Sequence, residues 1–288
     1  MKNHYSKTAM MVAVVRAGHT ILEKGEIYRD NFSSYFVDFP YSIIIRSKIL
    51  FRLVRNIFLK KVSTVPTQNL YRARFVEDFF IHHKNKFETF INFSAGFDCL
   101  LLKYSSIFPE FKFIEIDHPL TQEHKLKIIK ENPLTFSSFK NLEFISIDYE
   151  NESIENKVFN KFKNASKPVL GIWMGTTYYI SKKTIYEFLE IFSKNTPKGS
   201  KLIFDYGIVD SELNIQDQQI FQDLKEYVAK KGEPMISFFS KLEISEFSAK
   251  FQFKINQNLS LQELNYHFPR KEYYPISGFS KILVLEVV

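Results

Sequence analysis

Six short apolar runs, each separated from the next by enough residues for a helix, constrain this chain more than any other feature. They are Glu88–Phe93, Lys112–Ile116, Glu143–Ile147, Val169–Trp173, Lys201–Asp205 and Lys281–Val288. Several end at an aspartate or a turn, at Asp117, Asp148 and Asp205, so they read as strands. Most are 20–35 residues apart with amphipathic sequence between them, the spacing of βαβ crossovers in a mostly parallel sheet. The expected fold is therefore α/β, a mostly parallel sheet with crossover helices between its strands. Lys281–Val288 is expected as a strand inserted near the sheet edge. No Pro/Gly/Ser-rich linker or internal repeat divides the chain. It reads as a single domain over 1–288, with a helical N-terminal extension over 1–86 and the core over 87–288.

Composition removes several functional classes. The lone cysteine, Cys99, excludes an intramolecular disulfide framework and a cysteine zinc site. The formal charge is +7, but the lysines are interspersed with Glu and Asp, which argues against a nucleic-acid partner. No stretch is long and apolar enough to span a membrane, and Arg16 and His19 interrupt the N-terminal apolar run, so a cytoplasmic protein is expected. Residues 42–61 have helical period, with Ile45, Ile49, Leu53 and Phe58 on one face and Lys48, Arg52, Arg55 and Lys60 on the other. This segment reads as a helix packed on the domain, or as one that meets a membrane surface or a partner.

In parallel sheets, ligands bind beyond the carboxyl ends of the strands, so the residues just after each run are the candidates. The first run leads into Ser94-Ala95-Gly96, where small side chains let backbone N–H groups approach a ligand. The second ends in Glu115 and Asp117, placed to accept hydrogen bonds from ribose hydroxyls, and the third is followed by Asp148-Tyr149, suited to a purine amine and ring. Each aspartate also reads as a helix cap or turn residue. His118 and His124 lie close to Asp117, but a histidine beside a proline in a loop is more often a cap or surface residue, and no metal site is expected.

In combination these segments resemble the leucine carboxyl methyltransferase family, a branch of the class I S-adenosylmethionine-dependent methyltransferases. Ser6-Lys7-Thr8-Ala9 with Arg16-Ala17, and Tyr71-Arg72-Ala73-Arg74 with Glu77-Asp78, are similar to the front of that family. Asn92–Asp98 resembles its N-L-G-A-G-x-D. Phe113–Pro119, followed by Thr121-Gln122 and Lys125, resembles its E-x-D-x-P…Q…K. Pro168–Tyr179 resembles its P-x-L…E-x-x-x-x-Y. The resemblance covers about residues 5–205 and implies a Rossmann-like core with a seven-stranded, mostly parallel sheet, one strand antiparallel near the C-terminus and helices on both faces, together with an N-terminal helical lid and S-adenosylmethionine as cofactor. It implies cofactor contacts from Lys7, Arg74, Ser94, Ala95, Gly96, Glu115, Asp117, Asp148, Tyr149, Met174 and Tyr179, with Lys7 and Arg74 on the cofactor's carboxylate. It leaves the catalytic residues unassigned, with His118 and Tyr179 as the candidates for a base.

Three positions depart from the family pattern. Ser94 replaces a glycine, Cys99-Leu100 stands where Thr-Arg is frequent, and Met174 occupies the place of a glutamate that contacts the cofactor, a role that Asp98 or Glu115 could take over. The expected activity is methyl transfer to an oxygen, a carboxylate or hydroxyl of a small molecule. The alternatives are methylation of a protein's C-terminal carboxylate, or a cofactor-binding relative with reduced catalysis that acts through partners.

Overall fold

The computed structural model describes residues 4–54, 62, 64–136, 139–161, 167–265 and 275–288. Among them, seven strands form one sheet: β1 Thr89–Asn92, β2 Lys112–Asp117, β3 Leu142–Ser146, β4 Val169–Trp173, β5 Lys201–Gly207, β6 Phe253–Ser260 and β7 Ser280–Val287. The order across the sheet is β3-β2-β1-β4-β5-β7-β6. The first five strands are mutually parallel, and β7 runs antiparallel between β5 and β6. The order reverses beside β1, between β2 and β4, and this is where a crevice opens.

Every residue of β1, β4 and β5 is buried. That accounts for their uninterrupted apolar runs, because crossover helices cover both faces. On one face lie α1 (Lys7–Leu22), α4 (Val65–His83), α5 (Leu100–Ser105) and α6 (Pro119–Glu131). The other holds α7 (Ile154–Lys157), α8 (Lys182–Asn195), α9 (Ile215–Ala229) and α10 (Lys241–Phe251). Ser6 caps α1 by accepting from Ala9 N at 3.1 Å, and the stripe Met10, Ala13, Val14 and Ala17 goes into the core. Phenylalanine fills much of the interior; Phe93 stands edge-on to Phe188 at 4.9 Å, and Phe221 stacks on Phe279 at 4.7 Å. No helix among the described residues is long and apolar enough to cross a membrane.

Two expectations are corrected. The helical pattern over 42–61 does not form one helix. It splits into α2 (Tyr41–Ile44) and α3 (Lys48–Leu53), because Ser47 adopts an extended backbone and caps the second helix through its hydroxyl. The expected apolar face is also redistributed: Ile45 and Phe51 are buried, whereas Ile49 is 75% and Leu53 46% exposed. Arg55, Phe58 and Lys60 lie outside the described residues. The second correction concerns β6, which the apolar runs did not disclose. The Phe-rich stretch Met235–Phe253 contains α10, opened by a Ser240–Glu243 capping box and ended by Gln252 at φ +56°, and the strand starts directly after it. β6 is an edge strand whose exposed positions are polar, so it lacks the continuous apolar signal of its neighbours.

Candidate active site

The C-terminal ends of β1, β2 and β4, together with the loop after β3, open into a cavity of about 420 Å³ roofed by α1 and α4. Ser94, Ala95, Gly96, Asp117, Asp148, Tyr149, Met174 and Tyr179 all line it, so eight of the positions implied by resemblance come together there. Gly96 adopts φ +48°, and a Cβ at that position would stand 3.1 Å from the Ala9 Cβ on α1. Only glycine makes the turn without strain while leaving the gap beneath the roof open.

Asp117 is held by two backbone donors: Gly96 N reaches its Oδ2 at 2.7 Å and His118 N its Oδ1 at 2.8 Å. Burial pushes its carboxyl upward, and these two donors oppose the shift. The carboxylate thereby ties the turn after β1 to the tip of β2. Asp148 accepts from Glu150 N at 3.1 Å and Asn151 Nδ2 at 2.9 Å, and faces His118 Nε2 at 3.8 Å. Tyr149 turns its ring to the cavity while its hydroxyl donates to the Phe93 carbonyl.

The Ser94 side chain is directed sideways, donating to the Met174 carbonyl at 2.8 Å. It therefore links the β1 turn to the end of β4, where a glycine could not. Beside Met174, Gly175 at φ +74° donates its N–H to Asp205 Oδ1 at 2.6 Å. Asp205, at the end of β5, also accepts from Arg72 Nη1 at 2.9 Å and the Tyr178 hydroxyl at 3.2 Å.

Three implied positions lie off this cavity. Arg74 points away from it, bonded to Asp78 at 2.7 Å and to the Ile27 carbonyl at 3.3 Å. Residues two apart on a helix face directions about 200° apart, so Arg72 and Arg74 cannot share a face. Arg72, with Ala73 and Val76, is the one turned inward. Glu115 sits behind the strand tip, fully buried and paired with Lys125 at 2.5 Å, which also donates to the Asp98 carbonyl. Burial pushes the Glu115 carboxyl up to about 7, against the pull of Lys125. Lys7 is exposed and lines an adjoining cavity.

Three contributors were not anticipated. Arg72, rather than Arg74, faces the cavity. Arg16, part of the N-terminal pattern, is buried and bonded to Asp98, with Asp30 4.0 Å away. Glu233, in the loop after α9, accepts hydrogen bonds from Ser6 and Thr8 at the N-terminus of α1 and so fastens the roof, a position that a helix dipole favours for an acid. Nothing in the local sequence marks Glu233. Among the described residues no cluster of His, Cys, Asp and Glu could hold a metal.

The lining carries five acids (Asp98, Asp117, Asp148, Glu150 and Glu233) against two arginines, so the cavity favours a ligand with a cationic centre. The chemistry also fits the rest of S-adenosylmethionine: carboxylates for ribose hydroxyls, a guanidinium for a carboxylate, and an aromatic ring at Tyr149. A sheet of this order with this site is that of a class I S-adenosylmethionine-dependent methyltransferase.

The comparisons agree. The chain is similar in fold to a DUF574 family protein of Streptomyces avermitilis (TM-score 0.62, 11% identity, 95% of this chain and 97% of that one). It is also similar to a methyltransferase structure from Thermobifida fusca (TM-score 0.55, 12% identity, 95% and 94%). In sequence it is 24% identical over 306 residues to YktD of Bacillus subtilis (strain 168), which bears the name of an S-adenosyl-L-methionine-dependent methyltransferase; the match spans 100% of this chain and 99% of that one. The model of the leucine carboxyl methyltransferase family matches residues 9–193, and the chain belongs to that family. It is an S-adenosylmethionine-dependent methyltransferase.

Proposed function

We propose that the protein methylates an oxygen of a small molecule, and that this oxygen belongs to a carboxylate. The observation that carries this reading is the state of the bases around the cavity. His118 is the one imidazole among the described lining residues, and it is engaged, its Nδ1 on Leu120 N at 3.4 Å and its Nε2 facing Asp148. Burial pushes the Tyr179 hydroxyl far above its ordinary value, so it is a poor base at neutral pH. The remaining candidates are carboxylates, too weak to deprotonate a phenol of pKa about 10 efficiently. A carboxylic acid of pKa about 4 arrives already ionised and needs no base.

When bound, the cofactor supplies an electrophilic methyl group on a positively charged sulfur. The chain's own residues position and enclose it. In this reading Asp117 holds the ribose hydroxyls, Tyr149 and Asp148 the adenine, and Arg72 the cofactor's carboxylate. Glu233 keeps α1 closed over the cavity, and the exclusion of water strengthens the attraction between the acids of the lining and a cationic centre. Residues 1–86 act as the lid of a single domain, and the setting is cytoplasmic.

The test uses methyl-labelled S-adenosylmethionine and a mixture of metabolite acids and phenols. Label in a small product that mild alkali releases as methanol is the expected result, because methyl esters saponify. Alkali-stable label would overturn the carboxylate assignment, and label confined to protein would favour a protein C-terminus as acceptor.

A further inference from the structure

A second cavity of about 170 Å³ adjoins the first between α1, α4 and α9. Thr8, Val12, Arg72, Gly175 and Tyr179 line both, so these five residues form a common wall. The two compartments have opposite charge. The first has five acids and two arginines, whereas the described lining of the second has no acid and the exposed Lys7 and Lys231, besides the shared Arg72, which Asp205 engages. Away from the cations its surface is mostly apolar, with Met10, Met11, Val15, Leu224, Val228 and Met235. Gln68, Asn69, Tyr41, Tyr178, Tyr179 and Tyr227 interrupt it.

From this pairing we infer that the second cavity is the acceptor site and that it takes a compact apolar monocarboxylate, a phenyl- or branched-alkyl-substituted acid. The inference rests on the carboxylate methylation proposed above. Methyl transfer brings an electrophile and a nucleophile into line within near-contact distance, so the acceptor oxygen belongs at the common wall and the rest of the acceptor beyond it. An acidic compartment on one side of the wall suits a cationic donor, and a basic one on the other suits an anionic acceptor. Lys7 and Lys231 are exposed, where they raise the local concentration of anions. The apolar lining sets the size, since an apolar cavity of about 150 Å³ accommodates a benzene ring. A long alkyl chain would extend past this volume into solvent, and acetate leaves it unfilled.

The experiment compares acetate, 4-methylpentanoate, phenylacetate and dodecanoate as acceptors for the full chain. S-adenosylhomocysteine binding is measured separately by calorimetry. Phenylacetate and 4-methylpentanoate are expected to exceed the other two by about tenfold or more in kcat/KM, and to raise the Tm in the presence of S-adenosylhomocysteine. Val228→Phe fills the cavity and should cut kcat/KM for phenylacetate about tenfold while S-adenosylhomocysteine binding persists. Met11→Ala, which removes volume at a half-buried position, should shift preference toward 2-naphthylacetate and serves if the first variant does not fold. Equal rates across the series, insensitivity to both substitutions, or neither turnover nor stabilisation by any of the acids while S-adenosylhomocysteine binds would overturn the inference. Failure to bind S-adenosylhomocysteine, or alkali-stable product, would instead strike the reading beneath it.

Discussion

Arg72 on α4 and Asp205 at the end of β5 are joined across the wall between the two cavities, Nη1 to Oδ2 at 2.9 Å, with the Asp205 side chain 2% exposed. The same guanidinium reaches Asn69 Oδ1, and the same carboxylate holds the Gly175 N–H. One ion pair therefore links the packing of α4 on the sheet to the shape of the β4 tip. Arg72→Lys keeps the charge but loses the planar fork. Its expected effect is a 10–100-fold loss of S-adenosylhomocysteine affinity in calorimetry, corresponding to about 1.4–2.7 kcal/mol. Unchanged affinity would show that Arg72 serves packing alone.

Met174 lines the cavity and packs partly against the core, its carbonyl engaged by Ser94. An acid placed here by Met174→Glu would face the cofactor's amino group or its sulfur. If the amino group is the partner, S-adenosylmethionine and S-adenosylhomocysteine should both bind about tenfold more tightly, since both carry it. That is the expected outcome. Tightening of S-adenosylmethionine alone would place the acid at the sulfur, and loss of both ligands with a lower Tm would show that this side chain belongs to the core.

Lys201 and Glu286 face each other across the antiparallel β5–β7 pair. The hydrogen bond from the Lys201 ammonium holds the Glu286 carboxyl below its ordinary value, and Asn256 Nδ2 adds a second at 2.7 Å. A carboxyl depressed in the folded state stabilises it above the unfolded value, about 4.3, and loses that contribution as pH falls through the folded one. Glu286→Gln should lower the urea midpoint at pH 7 and leave a shallower decline between pH 5 and pH 3. Parallel acid limbs in the two proteins would contradict this.

The parts of the fold legible in the sequence are those buried on both faces. β1, β4 and β5 announce themselves because no position on them faces water. β6 does not, because half of an edge strand looks like a loop. The segment 42–61 misleads for a different reason. Periodicity reports which residues could share a face, and Ser47 interrupts the backbone that would carry them. At the site, the strand-end residues were readable because topology places them at the crevice regardless of side-chain detail. Arg72 and Arg74 differ only in helix phase, which depends on how α4 sits on the sheet. Glu233 reaches α1 from 225 residues away in sequence, a relationship that no local pattern encodes.

In the proposed function the cavity at the strand ends is the S-adenosylmethionine site and Asp117 its anchor. The decisive measurement is a calorimetric titration of S-adenosylhomocysteine into the parent protein and into Asp117→Ala. One site is predicted in the parent, weakened in the variant by about 1–3 kcal/mol, the cost of leaving ribose hydroxyls without a charged acceptor. Heat of binding that is equal in the two proteins, or absent from the parent at millimolar ligand, would contradict it.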